Sequence, residues 1–393
     1  MKWDSGKTSI RSLAGSPQVA ALILFVLTFC GAFGVAFLGP WPQPTMHDEF
    51  GYLLLSDTFA NGRFANPTPE HWQFFETFHV LMTPTYAAKY PIGQGLFLAL
   101  GRLGTGAPIA GVWLSCALMV SSTYWALRQW VENRWAILAS SILMVQAGVV
   151  GYWSQSFWGG AVAAMGGALA FGAVCPLVDR PSIRYGLILG VGLAILANSR
   201  PFEGAVFTVI LGYYYISSRN WDSGNLVDHL RGIIPALLVG TATLLLMGVY
   251  NESVTGSPLQ FPYLAYERQY GAGGSFVWSE PEPLPDYRHE EMRRFYAEWY
   301  RDRLLRHKGA ASFLNETISK TGKIMTILLG SACPFVLLSL RTVRRDKAVR
   351  FAVGTVVLVG LAVLSTIAGY PHYFAPVVPV LYFLVAVGVK ETW

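Results

Sequence analysis

Long apolar runs separated by short polar turns dominate the chain. Ten runs are long enough to cross a membrane, because a spanning helix needs about 20 mainly apolar residues. The predicted spans are 18–38, 107–127, 135–153, 156–178, 183–199, 201–218, 229–250, 322–340, 348–369 and 373–390. An eleventh apolar run, Pro91–Leu103, is short for a span and indicates a re-entrant or interfacial helix. The pattern predicts an all-α polytopic membrane protein.

Composition agrees with a lipid environment. Of the 393 residues, 53% are hydrophobic and 13% are charged, whereas soluble domains carry about 25% charged residues. The net charge of +6 is therefore attributed to membrane-protein loops, and nucleic-acid binding is not predicted. All four cysteines lie in apolar runs, which argues against a disulfide framework or a thiolate metal site.

Basic residues in the turns orient the predicted spans, since lysine and arginine favour short cytoplasmic loops. The inside segments hold Arg128 and Arg134, Asp179–Arg184, Arg219–Arg231, Arg341–Arg350 and Lys390. This topology predicts a cytoplasmic segment 1–17, a transmembrane domain 18–390 and no separate soluble domain. Both termini are then cytoplasmic, and we expect a multi-pass protein of a bacterial inner membrane.

Two large segments, 39–106 and 251–321, lie outside in this topology. In the first, the spacing of apolar residues predicts an amphipathic helix over Glu49–Gly62 that lies on the membrane. In the second, Asp286–Lys308 is charged and aromatic along its length, and it predicts a helix on the outer surface. The chain has no internal sequence repeat, so a transporter built on inverted repeats has no support.

Chemically unusual polar residues fall in the outer turns. They are His47-Asp48-Glu49, His79, Lys89-Tyr90-Pro91, the 152–160 and 198–204 turns, Tyr250-Asn251-Glu252 and Tyr370-Pro371-His372-Tyr373. The inner turns are ordinary arginine-rich connectors. Convergence on one membrane face predicts a site at the outer water–lipid boundary, because ionisable groups near membrane depth are generally functional.

These residues suit a lipid-carried anionic substrate. Lys89 and Arg200 are the candidate cations for an anionic head group, and Asp48 is the candidate base for an acceptor hydroxyl. The divalent-metal candidates are His47, Asp48, Glu49, His79 and His372, although their spacing matches no known ligand motif.

Each feature also has a structural explanation. Asp48 and Glu49 at a helix start are good capping residues, and Lys89 can extend along apolar surface to the interface. Arg200 and Glu203, three residues apart, can pair with each other. Glycines beside Trp158 can serve helix packing alone.

The order of these motifs resembles the GT-C superfamily of membrane glycosyltransferases, in particular protein O-mannosyltransferases, lipid A aminoarabinose transferases and Rgt-like bacterial transferases. The matching motifs are Asp48-Glu49-Phe50-Gly51-Tyr52, Asn66-Pro67-Thr68, Pro84-Thr85-Tyr86, Lys89-Tyr90-Pro91, Trp158-Gly159-Gly160, Ser199-Arg200-Pro201 and His372-Tyr373-Phe374-Ala375-Pro376. The chain departs from the pattern in the turn between spans three and four, where relatives carry an acid and this chain has Gln155 and Ser156.

The resemblance implies a GT-C fold and an inverting sugar transfer from a polyprenyl-phosphate donor to an acceptor at the outer, periplasmic face. Asp48 would be the general base, Glu49 would assist it, and Lys89 and Arg200 would hold the donor phosphate. The implied substrate-binding residues are Tyr52, His79, Tyr90, Trp158, Glu203, His372 and Tyr373. A divalent metal is an open option, with Asp48, Glu49 and His372 as its candidate ligands. The alternatives are a binding or transport protein for a lipid-linked glycan and a lipid-phosphate hydrolase.

Overall fold

The computed structural model describes residues 16–221 and 226–393, and almost all of its regular structure is helical. The helices are α1 (Pro17–Leu38), α2 (His47–Ala60), α3 (Ile92–Thr105), α4 (Ile109–Leu127), α5 (Asn133–Leu143), α6 (Ala161–Asp179), α7 (Ile183–Ala197), α8 (Pro201–Ser218), α9 (Leu226–Thr255), α10 (Pro262–Tyr270), α11 (Glu290–Arg293), α12 (Arg301–Arg306), α13 (Ala310–Leu328), α14 (Cys333–Ser339), α15 (Lys347–Leu364) and α16 (Val378–Lys390). The predicted cytoplasmic segment 1–17 lies almost wholly outside the described residues.

Shorter helical turns join several of these elements. The π-helical turns are Met144–Val149 after α5 and Arg294–Tyr300 between α11 and α12. The 3-10 turns are Trp72–Phe74, Tyr152–Ser154, Gly330–Ala332, Leu340–Thr342 and Pro371–Val377. Two short strands, β1 (Val80–Leu81) and β2 (Ala87–Ala88), pair antiparallel, with Val80 opposite Ala88 and Leu81 opposite Ala87.

Within the described ranges, six helices are long and apolar enough to cross a membrane. They are Pro17–Leu38, Ile109–Leu127, Ala161–Asp179, Leu230–Thr255, Lys347–Leu364 and Pro371–Lys390. The protein is thus a multi-pass helical membrane protein, but the predicted count of ten spans is not confirmed. Each of the other predicted spans contains helix that is shorter, less apolar or broken.

The predicted span 322–340 is broken. α13 ends at Leu328, and the helical segment Gly330–Thr342 leaves it at an angle of 100°. Gly330 has a φ of 50°, and a Cβ at this position would meet the side chain of Gln146. Only glycine satisfies both conditions without strain, which explains the sharp bend at this point.

The bundle has a buried centre and a lipid-facing periphery. In Pro371–Lys390, 94% of the apolar stretch is buried by the protein, against 17% in Leu230–Thr255. Helices that are apolar on every face suit both positions, because lipid replaces protein as the apolar neighbour. Hydrophobicity along the sequence therefore does not distinguish central helices from peripheral ones.

The two outer segments pack together over one end of the bundle. α2, the β1–β2 hairpin and α3 come from the first segment, whereas α10 and the α11–α12 helix come from the second. The buried carboxylate of Glu76 joins them, accepting bonds from Tyr270 at 2.8 Å and from Arg288 at 2.9 and 3.0 Å. The predicted outer helix Asp286–Lys308 corresponds to helical structure over 290–306.

Candidate active site at one end of the bundle

Asp48 lies in the first turn of α2, partly open to water. The Tyr90 hydroxyl donates to its Oδ1 at 2.6 Å, and His47 Nδ1 lies 3.2 Å from its Oδ2. The side chain is 24% exposed, so a substrate can reach it. The Tyr90 ring stacks on Tyr52 at 4.4 Å, which orients the donated hydroxyl. Tyr52 and Tyr90 thus belong to the surroundings of Asp48.

The carboxyl group of Asp48 is held in its charged form. Burial alone raises its pKa, but the hydrogen bond from His47, the charge of nearby His79 and the Tyr90 hydroxyl outweigh burial. Together they hold the pKa of Asp48 well below its usual value. Burial and the neighbouring carboxylate raise the pKa of Tyr90 well above 10.0, so Tyr90 stays a hydrogen-bond donor.

Glu49 has a different environment from its neighbour. It is completely buried, and its Oε2 accepts from the amides of Thr45 and Met46 at 2.8 and 2.9 Å. Its Oε1 accepts from the Phe157 amide at 2.7 Å. Both oxygens are therefore occupied by backbone groups. This geometry favours a positioning role for Glu49, which ties α2 to the 152–160 turn, over the predicted catalytic or metal-binding roles.

The β1–β2 hairpin brings His79 and Lys89 to the same site. His79 precedes β1 and Lys89 follows β2, and the Lys89 amide donates to the His79 carbonyl at 3.0 Å. His79 has a φ of 64°, a conformation that costs a non-glycine residue of order 1–3 kcal/mol and is often found at functional sites. No hairpin was predicted from the sequence, because strands of two residues have no detectable alternation.

Three side chains form a compact candidate metal group: His47, Asp48 and His79. Their ligand atoms all lie within 4.8 Å of one another, and His47 Nδ1 is 2.6 Å from His79 Nε2. Two imidazole nitrogens and a carboxylate oxygen form a donor set typical of zinc and other transition metals. Of the candidate metal ligands, His47, Asp48 and His79 belong to this group, whereas Glu49 and His372 do not.

Lys89 is buried with its charge already balanced. Its Nζ lies 2.7 Å from Glu267 Oε1 and 4.6 Å from the ring centroids of both Tyr263 and Tyr266. Burial alone lowers the pKa of Lys89, but Glu267 outweighs burial and raises it. This arrangement does not favour the predicted contact with the donor phosphate, because the Lys89 ammonium group is already paired with the Glu267 carboxylate.

Arg200, in the turn before α8, has a different setting. Its guanidinium lies 4.3 Å from the Tyr373 ring centroid, and among the described residues no carboxylate lies at ion-pair distance from it. Glu203 is buried one turn further along α8, and it does not form the predicted ion pair. Arg200 lines a narrow pocket together with Tyr52, Pro91, Gln94, Gly159, Val162, Ala163 and Ser199.

His372 lies in an aromatic box next to this pocket. Its Nδ1 is 3.0 Å from the Tyr152 hydroxyl, and its ring lies 4.6 Å from Trp158 and 5.1 Å from Tyr373. The side chain is almost wholly buried. Trp158, His372 and Tyr373 are therefore brought together on the Arg200 side of Asp48.

The tertiary structure adds residues that sequence analysis missed. Lys89 is surrounded by three residues of α10, namely Tyr263, Tyr266 and Glu267. Glu267 is 178 residues away from Lys89 in the sequence. The aromatic and acidic composition of Pro262–Tyr270 was the available signal. In the turn between α5 and α6, Gln155 donates to the Ala32 carbonyl at 3.0 Å, a structural contact. Glu267 is thus a further acid at the site.

Comparison with solved structures finds this fold elsewhere. ArnT from Cupriavidus metallidurans in the apo state aligns with a TM-score of 0.56 and 14% identity over 98% of this chain and 60% of that one. The same protein bound to undecaprenyl phosphate aligns with a TM-score of 0.54 and 14% identity over 98% and 61%. An oligosaccharyltransferase from Archaeoglobus fulgidus gives a TM-score of 0.49, with 13% identity over 93% and 49%.

The chain has the GT-C fold. At these identities the similarity concerns the fold, and the chain spans about three fifths of the length of ArnT. No protein-family model matches the sequence, and no curated protein does. The GT-C fold predicted from the motif order is confirmed as a fold.

Proposed function

We propose that this protein transfers a sugar from a polyprenyl-phosphate donor to an acceptor at the periplasmic face of a bacterial inner membrane. The observation that carries the proposal is Arg200, a partly buried guanidinium in a pocket that Tyr52 also lines. Among the described residues, no carboxylate lies at ion-pair distance from it. ArnT, which shares the GT-C fold, has been crystallised with undecaprenyl phosphate. The lysine- and arginine-rich turns predicted on the cytoplasmic side support the orientation.

Arg200 binds the donor phosphate in this proposal. A guanidinium presents parallel N–H donors that match two phosphate oxygens, and the low local dielectric strengthens such bonds. The fixed Tyr373 ring beneath Arg200 holds the guanidinium plane without neutralising its charge. The site thus stabilises negative charge on the departing phosphate, which is the largest electrostatic demand of the reaction.

Asp48 receives the proton of the acceptor hydroxyl. A carboxylate with a depressed pKa is a weak base toward a free alcohol, so proton transfer follows the attack. The acceptor oxygen bonds to the anomeric carbon as the bond from that carbon to the phosphate oxygen breaks. The hydroxyl becomes acidic as its oxygen loses electron density, and its proton then passes to Asp48. Attack in line with the departing phosphate inverts the anomeric carbon.

The remaining predicted residues complete this arrangement. Tyr52 lies between the two charged groups, since it stacks on Tyr90 and lines the Arg200 pocket. Trp158 and Tyr373 supply aromatic faces for the donor sugar. His372 contacts both rings, and Glu203 is buried in the first turn of α8. His47, Asp48 and His79 would hold a divalent metal, which would supply a positive charge that orients the acceptor hydroxyl.

The decisive experiment uses purified protein in nanodiscs and a panel of polyprenyl-phosphate sugars, with release of the lipid phosphate as the readout. Asp48→Asn should lower the rate of phosphate release about 10²–10⁴-fold without changing the melting temperature. Asp57→Asn is the matched control, because Asp57 lies on the same helix and is 45% exposed in a surface pair with Arg102.

The outcomes separate the alternatives. Near-normal turnover by the Asp48→Asn variant would overturn the role of Asp48. Release of phosphate that needs no acceptor would indicate a hydrolase, and donor binding without turnover would indicate a binding or transport protein. A chelator arm, followed by zinc or manganese restoration, tests the candidate metal group.

A further inference from the structure

A groove runs along the outer face of the α11–α12 helix, and the proposed chemistry does not use it. Its lining residues are Arg294, Phe295, Glu298, Trp299 and Asp302. All five lie in or next to the π-helical turn Arg294–Tyr300. Wide turns of this kind are rare and often occur at functional sites. The groove combines two aromatic side chains with charged groups of both signs.

An aromatic strip connects this groove with the reactive end of the bundle. Phe295 packs 5.0 Å from the His47 ring and 4.9 Å from Phe78, measured between ring centroids. On its other side, Phe295 stacks on Trp299 at 5.0 Å with an angle of 25° between the planes. His47 contacts Asp48 directly. One phenylalanine ring therefore separates the groove from the residues around Asp48.

The groove has the chemistry of a sugar-binding surface. A pyranose ring has a face of C–H groups, which packs on an aromatic ring, and a rim of hydroxyl groups, which need donors and acceptors. Trp299 is 48% exposed. Phe295 stacks on its ring and the Arg303 guanidinium lies 5.4 Å from the ring centroid, so the remaining part of the ring is open to such a ligand. Carboxylates and a guanidinium at the rim provide the polar contacts.

The two carboxylates at the rim of the groove are held in place by ion pairs before any ligand binds. Glu298 Oε1 lies 2.9 Å from Arg293, and Asp302 Oδ2 lies 2.7 Å from Arg306. Exposed ion pairs of this kind contribute little to stability, but they restrict the positions of the two carboxylates. Phe295 and Trp299 form a contiguous aromatic patch beside these charged groups, and exposed apolar patches rimmed by polar residues can mark binding sites.

We propose that the Phe295–Trp299 groove binds a pyranose residue of the acceptor glycan. The inference rests on the proposed sugar transfer and names the acceptor class for it. The donor occupies the Arg200 side of Asp48, and the acceptor approaches from the histidine side. The aromatic strip then guides the acceptor hydroxyl to Asp48 from water, while the donor lipid stays in the membrane.

The test measures sugar binding directly, without donor. Full-length protein in nanodiscs is mixed with methyl glycosides of glucose, galactose and mannose, and saturation-transfer NMR records which protons contact the protein. Trp299→Ala should weaken the signal of the bound glycoside about tenfold. Trp278→Ala is the control, since Trp278 is 63% exposed in the same outer segment and lies outside the groove.

The expected result is a loss confined to Trp299→Ala, with binding retained by Trp278→Ala and by Asp57→Asn. Equal signals from the wild type and Trp299→Ala, equal losses from both tryptophan variants, or no signal from any glycoside would each overturn the proposal. Failure of the proposed function looks different, because sugar would bind at the groove while no polyprenyl-phosphate donor is consumed.

Discussion

Two cations lie near Asp48, Lys89 buried and Arg200 partly buried, and the structure gives them opposite environments. Lys89 is enclosed by Tyr263, Tyr266 and the Glu267 carboxylate at 2.7 Å. Arg200 also lies against a tyrosine, but no carboxylate is at ion-pair distance among the described residues. Both residues were equivalent candidates for the donor phosphate when only their positions in the sequence were known.

The difference indicates that the two cations have different roles. The Lys89–Glu267 ion pair is complete within the protein, so its main effect is to link the first outer segment to α10. A partly buried guanidinium with no acid at ion-pair distance is costly unless an anion binds to it. We therefore assign the phosphate to Arg200 and the connection of the outer segments to Lys89. Each assignment can be tested separately.

The largest effect is expected from Arg200→Gln. Loss of two charge-assisted hydrogen bonds should lower kcat/KM for the polyprenyl-phosphate donor about 10²–10³-fold. Arg200→Lys keeps the charge but not the fork, and it should recover part of the loss. Steady-state kinetics with a varied donor checks this prediction. A value of kcat/KM within a factor of two of the wild type would contradict the assignment of the phosphate.

A smaller effect on turnover, but a larger one on stability, is expected from the Lys89 pair. Lys89→Met leaves Glu267 charged and mostly buried, which should destabilise the protein by about 3 kcal/mol. The double variant Lys89→Met, Glu267→Met should regain most of this loss, because neither charge is left alone. Thermal unfolding in nanodiscs measures both variants. If the double variant recovers stability but loses donor binding, Lys89 takes part in donor binding after all.

The smallest effect is expected from pH. The folded state raises the pKa of Lys89 above its ordinary value of 10.5, so the stabilisation is fully present below that value and is lost only as pH rises through the folded pKa. The stability difference between the wild type and the double variant should therefore stay constant from about pH 6 to 9.5. Melting curves across this range check the prediction. A difference that shrinks below pH 9.5 would show that Lys89 loses its proton early.

Much of the fold was predictable because lipid imposes a simple requirement. Backbone groups in a membrane must be bonded within helices, so long apolar runs such as those at Pro17–Leu38 and Lys347–Leu364 indicate helices with little ambiguity. The bend after Leu328 was not predictable from hydrophobicity, because apolar composition continues through it. It depends on Gly330 and on the side chain of Gln146, from a distant helix.

The candidate site was predictable in its members but not in their roles. Asp48 and Glu49 are adjacent and chemically alike, and both start the same helix. Folding exposes the first carboxylate to a substrate and buries the second against the Phe157 amide. Likewise, His79 becomes a partner of His47 only through a hairpin of two-residue strands.

By itself, the sequence determined that the chain is a helical membrane protein, and it predicted that the candidate site residues lie in turns on one side. Those properties follow from composition and from the order of residues along the chain. Only the tertiary structure decided that Glu267 neutralises Lys89 and that none of the described carboxylates lies at ion-pair distance from Arg200. The physical reason is that charge pairing and burial depend on distances between segments far apart in the chain, on which local patterns carry no information.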